Sequence, residues 1–121
     1  MGSLYRISSR EDWLAAEREG AFRGAAHDLR DGFLHLSAPH QVAGTLATHY
    51  AGTAGLVLLT VDGVALAASH TLKWEPSRGG ELFPHLYASL PVALVTRVSP
   101  LSLDASGKHV LPAEVSRDSI G

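Results

Sequence analysis

Alternating apolar and polar positions make two short segments of this chain resemble each other. Residues 33–37 read Phe-Leu-His-Leu-Ser, and residues 83–87 read Phe-Pro-His-Leu-Tyr. Alternate side chains of a β-strand point to the same face, so each segment would present a ring, an imidazole and a hydroxyl together. The leucine between the imidazole and the hydroxyl would point to the core. Two such strands, if they lie near each other, would form a small polar and aromatic pocket.

The apolar spacing of the first fifty residues predicts one strand and two helices. Residues 4–7 form the strand, and a helix follows with Ser9 as its N-cap and Gly20 at its end. Residues 22–31 contain turn signals and are expected to be mostly loop. Ser37 is expected to cap the second helix, which runs to about residue 51.

Short strands dominate the rest of the predicted elements. Residues 56–61 are apolar without alternation, which is typical of a strand covered on both faces. Residues 64–68 favour a helical turn, and residues 71–75 and 92–98 favour strands. Because Pro84 has no N–H, its segment is expected at a sheet edge. The predicted fold class is therefore α+β, with two helices in the N-terminal half and about five to seven strands.

A single domain accounts for the length and composition. The 121 residues are 45% hydrophobic, which is sufficient for one core. We expect one globular domain over residues 1–103 and a weakly structured tail over residues 104–121, where Gly107 and Pro112 interrupt a weak periodicity. No repeat or linker divides the chain, so a site has to be assembled within one unit.

Charge and cysteine content exclude several classes of function. Ten basic and twelve acidic residues give a formal net charge of −2, which offers no basic surface for the backbone of a duplex nucleic acid. One nucleotide-sized ligand needs only a few donors and stays compatible with this charge. The absence of cysteine excludes disulfides, thiolate nucleophiles and cysteine-containing metal sites. No apolar run is long enough to cross a bilayer, so a soluble cytoplasmic protein is expected.

The two imidazoles are the first candidates for chemistry, because a neutral imidazole can both donate and accept a proton near pH 7. His35 shares its face with Ser37, and His85 shares its face with Tyr87. Either pair could contact a ligand. Either pair could also be structural, with Ser37 acting only as a helix cap and the Tyr87 hydroxyl bonded to backbone. The sequence leaves both interpretations open.

Three further groups have a candidate role near these histidines. Glu75 could accept a proton or stabilise positive charge, or it could be a solvated residue paired with Lys73 or Arg78. Glu81 competes with Glu75 for the same role. Arg78 lies with two glycines in the predicted loop of residues 76–80, an arrangement that could wrap an anion or simply make a turn.

The seven histidines do not predict a metal site. None of them forms a His-Glu-x-x-His pattern, and His40 and His49 lie on opposite sides of their predicted helix. A mononuclear site would have to be assembled in three dimensions, so no metal ligand is assigned.

Taken in order, these segments resemble the family called domain of unknown function 952, from about residue 3 to about residue 101. The segments that carry the resemblance are Leu4-Tyr5-Arg6-Ile7, Trp13, Gly32-Phe33-Leu34-His35-Leu36-Ser37, Gln41-Val42, Lys73-Trp74-Glu75 and Phe83-Pro84-His85-Leu86-Tyr87 with Leu90-Pro91. The fold of this family is similar to that of ADP-ribosyltransferases, a split antiparallel β-structure with helices at one side. Residues 35–37 also resemble the His-Leu-Ser stretch of RNA 2′-phosphotransferases, which use NAD chemistry on that fold.

The resemblance implies roles in binding NAD for several candidate residues. Arg6 matches the strand residue that holds NAD in the transferases, Ser37 matches the serine of their second motif, and Glu75 is the nearest match to their late glutamate. The paired Gln-x-Glu or Glu-x-Glu of the transferases does not occur here. Since one fold hosts unrelated functions, the resemblance implies the fold more strongly than the transfer reaction.

The resulting hypothesis is a pocket for NAD or a related nucleotide, with ADP-ribosyl or glycosyl-bond chemistry as the reaction. In this hypothesis, Glu75 stabilises an oxocarbenium-like charge and Tyr87 lies near the nicotinamide end. The residues assigned to ligand binding are Arg6, Ser37, Arg78, His85 and Tyr87, and those assigned to catalysis are His35 and Glu75. A non-catalytic module that binds a small metabolite and a structural protein that forms dimers are the alternatives, so the choice between monomer and homodimer is open.

Overall fold

The frame of the molecule is a pair of three-stranded antiparallel sheets. The structure is a computed structural model that describes residues 2–120, without the side chains of residues 78 and 118–120. Helices hold 38% of the chain and antiparallel strands 35%, which confirms the predicted α+β class. Among the described residues, no helix is long and apolar enough to span a membrane.

The described residues form eight strands and five α-helices. The strands are β1 (Ser3–Ser9), β2 (Ala21–Phe22), β3 (Leu34–His35), β4 (Leu56–Asp62), β5 (Leu72–Pro76), β6 (Leu82–Leu86), β7 (Leu90–Pro91) and β8 (Val95–Leu101). The α-helices are α1 (Arg10–Glu19), α2 (Ala26–Asp31), α3 (Val42–His49), α4 (Gly63–Ser69) and α5 (Ala113–Ile120). Short 3₁₀ segments lie at Pro39–Gln41, Arg78–Gly80 and Val92–Leu94.

Within residues 2–120, one backbone bridge joins the two main sheets. The first sheet has the order β1-β4-β8 and the second the order β3-β6-β5, while β2 and β7 pair separately. Tyr5 of β1 and Ser37, which follows β3, exchange two backbone hydrogen bonds, each 2.9 Å from N to O. This bridge holds Arg6 of β1 beside the strands that carry the two histidines.

Both faces of the first sheet are covered, which explains the uniform apolar pattern of β4. On one face, Leu59 and Val61 pack in a cluster with Leu86 of the second sheet. On the other face, Leu58 packs in a cluster with Val42 of α3. Leu58 and Leu59 are fully buried, so replacing either with alanine is expected to cost about 2–5 kcal/mol of the free energy of unfolding.

Helix α1 has the two ends that the sequence predicts. The Ser9 side chain accepts a hydrogen bond from the Asp12 N–H at 3.1 Å, as an N-cap does. Gly20 ends the helix with φ of 86°, a left-handed conformation that glycine adopts without a Cβ clash, and its N–H bonds to the Ala16 oxygen. Both predicted boundaries are confirmed.

The N-terminal half contains three α-helices, one more than the two predicted. The additional helix is α2, which lies inside the predicted loop of residues 22–31. Its first turn is fixed by the Asp28 carboxylate, which accepts a hydrogen bond from the Ala25 N–H at 2.7 Å. Six residues are too few for a helical periodicity to show in the sequence, and this explains the error.

Ser37 does not cap the following helical segment, contrary to the prediction. That segment begins after Ala38, whose N–H donates to the Gln41 side chain at 2.9 Å. The backbone of Ser37 is committed to the bridge with Tyr5 instead. Pro39 lies in the first turn, as predicted.

Pro84 lies in β6, the central strand of the second sheet, so the predicted edge position is wrong. The N and O atoms of one strand residue face the same neighbouring strand. The Pro84 oxygen accepts a hydrogen bond from the Leu36 N–H at 3.0 Å, so the missing N–H also faces the β3 side. β3 ends at His35, and the proline therefore removes no hydrogen bond from a continuing ladder.

The predicted strand over residues 92–98 begins later than expected. Residues 92–94 form a 3₁₀ segment, and β8 starts at Val95. The pairing of β4 with β8 shifts register between Thr60 and Val61, so the regular ladder does not extend to residue 92.

The predicted tail contains ordered elements within the described residues. Leu103 and His109 form an antiparallel bridge, and α5 follows. Val115 of α5 is buried in the cluster that contains Val42. One buried side chain produces no periodicity in the sequence, which is why a weakly structured tail was expected. The division of the chain at residue 103 stays a prediction.

Candidate functional site

Strands β3 and β6 bring the two histidines side by side. His35 lies directly opposite His85 in the antiparallel register, and the centroids of their rings are 5.6 Å apart. Phe33 stacks on the His85 ring, with centroids 4.0 Å apart. The two similar segments therefore lie near each other, which is the condition under which their shared faces could form a pocket. Their alternate side chains share one face of the second sheet.

A buried carboxylate holds His35. Asp28 is 2% exposed and forms a bidentate ion pair with Arg6, in which the Nη1–Oδ1 and Nη2–Oδ2 distances are both 2.7 Å. The Asp28 oxygens also accept hydrogen bonds from the N–H of Ala25, the N–H of His35 and Nδ1 of His35. Five contacts converge on this carboxylate, so its position relative to the His35 ring is fixed.

The same contacts determine the ionisation of Asp28. Burial alone raises the pKa of Asp28, but the hydrogen bonds from His35 and Arg6, together with the charge of Arg6, outweigh it and hold the pKa well below its ordinary value. Asp28 is therefore ionised at neutral pH. Removing one member of a buried ion pair costs about 3–5 kcal/mol, because the other charge is left without a partner.

His35 lies between two carboxylates. Its Nδ1 is 2.8 Å from Oδ1 of Asp28, and its Nε2 is 2.9 Å from Oδ2 of Asp31. An ionised carboxylate only accepts hydrogen bonds, so Nδ1 donates to Asp28. The Asp31 side chain is about one-third exposed, and it occupies the ring nitrogen that a ligand would meet.

His27 on α2 adds a third imidazole. Its ring centroid is 4.9 Å from that of His35, and its Nε2 is 3.7 Å from Oδ1 of Asp28. Burial lowers the pKa of His27; the charge of Asp28 opposes this shift, and the charge of Arg6 adds to it.

A second carboxylate holds His85. Oε1 of Glu75 is 2.8 Å from Nδ1 of His85 and accepts a hydrogen bond from the Tyr87 hydroxyl at 2.7 Å. The hydrogen bonds from Tyr87 and His85 lower the pKa of Glu75, and the same carboxylate raises the pKa of Tyr87. His85 is buried, and within the described residues its Nε2 forms no hydrogen bond.

A pocket of about 510 Å³ adjoins the two histidines. This volume lies within the range of about 300–1,000 Å³ that is usual for small-molecule sites. The residues assigned from the sequence that line it are Arg6, His35, Ser37 and His85. Glu75 and Tyr87 contact His85 and Phe33 instead of lining the pocket. The Arg78 side chain lies outside the described part of the structure, although its neighbour Ser77 lines the pocket.

The lining of the pocket favours an anionic ligand. It includes four of the seven histidines of the chain, and Arg30 adds a guanidinium. Asp31 is the one acidic side chain among the described lining residues, and it pairs with Arg30 at 2.9 Å. The hydroxyl groups of the lining are those of Ser37, Thr45, Tyr50 and Ser77. These groups can donate and accept hydrogen bonds around a sugar or phosphate.

Three potential metal ligands come together in this region, but they do not suit a cation. Ligand atoms of His27, Asp28 and His35 all lie within 4.8 Å of one another. However, both oxygens of Asp28 accept N–H donors, and the guanidinium of Arg6 is 2.7 Å away. A divalent cation would have to displace the buried ion pair, so this cluster is better described as an ion-pair network.

Sequence analysis missed the acidic residues of the site. Asp28 and Asp31 were placed in a loop, although they hold both nitrogens of His35. A detectable signal is the spacing of His27 and Asp31, which are four residues apart and share one face if the segment is helical. Nothing in the spacing of Arg6 and Asp28, 22 residues apart, indicates their ion pair.

A family model described as a protein of unknown function, DUF952, matches residues 7–98. The chain therefore belongs to this family, as the resemblance of its segments indicates. No curated protein sequence matches the chain.

Solved structures of one bacterial protein are similar to this chain. The crystal structure of protein CC0527 from Caulobacter crescentus is 48% identical and has a TM-score of 0.87, covering 94% of this chain and 98% of that one. The solution NMR structure of the same protein is 46% identical and has a TM-score of 0.80, covering all of both chains. The likeness to the NMR structure extends over the full length of the chain.

Proposed function

We propose that this member of the DUF952 family binds a phosphate-bearing nucleotide of the NAD type in the pocket beside His35 and His85. The observation that carries the proposal is the position of these two imidazoles, which lie opposite each other on β3 and β6 and both line the pocket. Imidazoles donate hydrogen bonds to phosphate and ribose oxygens and carry positive charge when protonated.

The composition of the lining supports this ligand class. His27, His49 and Arg30 surround the two imidazoles with further donors for a phosphate. The ring of Tyr50 in the lining offers an aromatic surface against which a base or nicotinamide ring can pack. A single nucleotide needs this combination of an anionic part and a flat apolar part, whereas a purely apolar metabolite would leave the donors unused.

The proposal assigns the residues different roles according to their contacts. His35 and Ser37 contact the ribose and phosphate, and Arg78, the residue after Ser77 in the sequence, is a further candidate to bind the phosphate. Arg6 is a positioning residue, because both of its terminal nitrogens donate to Asp28 and one also donates to the His35 oxygen. A phosphate contact through these nitrogens would require the buried ion pair to open.

The geometry favours binding over cleavage of an N-glycosidic bond. Such cleavage needs a carboxylate near the developing positive charge on the sugar. Glu75, the predicted candidate, directs Oε1 at His85 and Tyr87 and does not line the pocket. A non-catalytic module that binds a small metabolite is therefore the second candidate function. A dimer contact through the histidine strands is disfavoured, because β6 is already the central strand of a sheet within one chain.

An amide NMR titration of the purified chain with NAD, ADP-ribose and nicotinamide, added separately, tests the proposal. We expect NAD and ADP-ribose to shift the amides of residues 35–37, His49 and His85. His49→Ala removes an exposed pocket imidazole with little risk to the fold and is expected to weaken binding several-fold. His70→Ala, which removes a half-buried histidine outside the pocket lining, is the control. Shifts spread over the surface, or none at millimolar ligand, would contradict the proposal.

A further inference from the structure

We propose that His35 and His85 form a general acid–base pair that hydrolyses a nucleotide phosphodiester, an inference that rests on the proposed binding of a phosphate-bearing nucleotide in this pocket. Neither the DUF952 family nor the similar structures assign a reaction to these residues. The inference follows from the way in which each ring is held and from what lies next to its other nitrogen.

Each of the two imidazoles is held through its Nδ1 atom. Nδ1 of His35 contacts Asp28 at 2.8 Å, and Nδ1 of His85 contacts Glu75 at 2.8 Å. A carboxylate at Nδ1 fixes the orientation and tautomer of an imidazole and leaves Nε2 to react. Both rings line the pocket from neighbouring strands, and their centroids are 5.6 Å apart, a separation that one phosphate group can bridge.

The surroundings of Nε2 differ between the two rings. This difference indicates which ring acts as the acid and which as the base. Nε2 of His85 forms no hydrogen bond within the described residues, so it can accept a proton and serve as the base. Nε2 of His35 is 2.9 Å from Oδ2 of Asp31, so this ring has a carboxylate oxygen at each nitrogen and is placed to donate a hydrogen bond from each of them. His35 is therefore the acid.

The Asp31 contact also indicates what the substrate presents to His35. A carboxylate oxygen of the chain itself occupies the position at Nε2, at a hydrogen-bonding distance and with an exposed side chain that can move aside. An anionic oxygen of a phosphodiester has the same charge and makes the same kind of contact. Arg30, which pairs with Asp31, then becomes available to that phosphate.

The reaction needs water and no other co-reactant. His85 takes a proton from water as the water oxygen bonds to phosphorus. The bond from phosphorus to a ribose oxygen breaks, and that oxygen takes the proton of His35. The products are a phosphate monoester and a free ribose hydroxyl, and the two rings recover their starting protonation by exchange with solvent. One proton acceptor and one proton donor are sufficient for this step.

Hydrolysis of 2′,3′-cyclic AMP by the full chain, followed by ³¹P NMR, tests the inference. We expect the wild-type chain to form an AMP monoester with a bell-shaped dependence of kcat/KM on pH. His35→Asn and His85→Asn each keep a side-chain donor at the place of Nδ1, so the contacts with Asp28 and Glu75 are retained while Nε2 is lost. Each substitution is expected to reduce kcat about 10²–10⁴-fold. His70→Asn, prepared identically, should hydrolyse the substrate as the wild-type chain does.

Binding is measured separately, by calorimetry with 3′-AMP, which this reaction cannot cleave. Binding without hydrolysis would overturn the acid–base inference and leave the nucleotide pocket in place. Neither binding nor hydrolysis would overturn both the inference and the proposed function. Hydrolysis that persists equally in the two Asn variants, with folding verified by their NMR spectra, would also overturn the inference, because the activity would then come from other groups or from a contaminant.

Discussion

The two carboxylates that hold the pocket histidines lie in contrasting surroundings. Asp28 is 2% exposed, is paired with Arg6 and belongs to the inner part of the molecule, whereas about one-third of the Glu75 side chain is exposed at a sheet edge. Both make the same 2.8 Å contact with an imidazole Nδ1. Similar local geometry thus serves two purposes. The Asp28 network stabilises the fold and also orients His35, whereas Glu75 only orients His85 and contributes little to stability.

The largest effect is expected from removing the buried carboxylate, Asp28. Asp28→Ala leaves the Arg6 guanidinium buried without its partner and is expected to lower the free energy of unfolding by about 3–5 kcal/mol. Urea unfolding followed by circular dichroism measures this change. The double variant Arg6→Met with Asp28→Leu removes both charges, and we expect it to recover a large part of the loss. If the double variant is as unstable as Asp28→Ala, an unpaired charge is not the cause.

Acid is expected to weaken the buried network in the same way as substitution. The pKa of Asp28 is lower in the folded chain than in the unfolded chain, where it is about 3.9, so the unfolded chain takes up the proton first as the pH falls. The stability due to Asp28 is therefore fully present above pH ~4 and is lost as the pH falls below that value.

Unfolding curves between about pH 6 and about pH 2.5 measure this dependence. Asp28→Asn is expected to give a flatter decline in acid than the wild-type chain. Glu17→Gln, an exposed substitution on α1, is expected to keep the wild-type decline. Equal slopes for the wild-type chain and Asp28→Asn would show that other carboxyl groups control stability in acid.

A smaller effect is expected on the exposed side, where Glu75→Gln changes function more than stability. The variant keeps an oxygen that can accept from Tyr87 but loses the charge that orients His85. We expect hydrolysis of 2′,3′-cyclic AMP to fall about tenfold and its pH profile to shift, with an unfolding midpoint close to that of the wild-type chain. Glu81→Gln is the matched control, because Glu81 contacts His40 and Gln41 instead. An equal loss in both variants would remove the special role of Glu75.

The smallest effect is expected from a substitution in the pocket itself, at Asp31. Asp31→Asn removes the negative charge next to Nε2 of His35 and releases Arg30, so 3′-AMP is expected to bind about two- to fivefold more tightly. Calorimetry measures this gain, and Glu17→Gln provides the same change in net charge away from the pocket. Weaker binding in Asp31→Asn would mean that Asp31 contacts the ligand favourably.

The features that were predicted correctly from the sequence depend on interactions between residues that are close together in the chain. The ends of α1 depend on Ser9 and Gly20 and their nearest neighbours, and these were predicted correctly. The shared face of His35 and His85 follows from strand alternation once the two segments pair. α2 was missed, because a six-residue helix leaves no periodicity and its start depends on one carboxylate.

The ion pair at the centre of the site illustrates the physical limit. Arg6 and Asp28 are brought together by the bridge between Tyr5 and Ser37, which places β1 beside the region of β3 and α2 and has no local sequence signal. Arg6 was consequently assigned to ligand binding from the resemblance alone, because the sequence did not indicate that its guanidinium is already paired with Asp28. Long-range pairs of this kind can be identified only from the tertiary structure.

The bridge between Tyr5 and Ser37 has a consequence for the kinetics of folding. It joins two sheets whose strands come from distant parts of the chain, and the pocket is complete only when residues 6 and 85 are both in place. Because contacts between distant parts of the chain pay their loop-closure entropy before they stabilise it, we expect the last of them, and the pocket with them, to be completed only after the transition state for folding. A bound nucleotide would then slow unfolding and leave the folding rate nearly unchanged, which protects the chain by lengthening its folded lifetime.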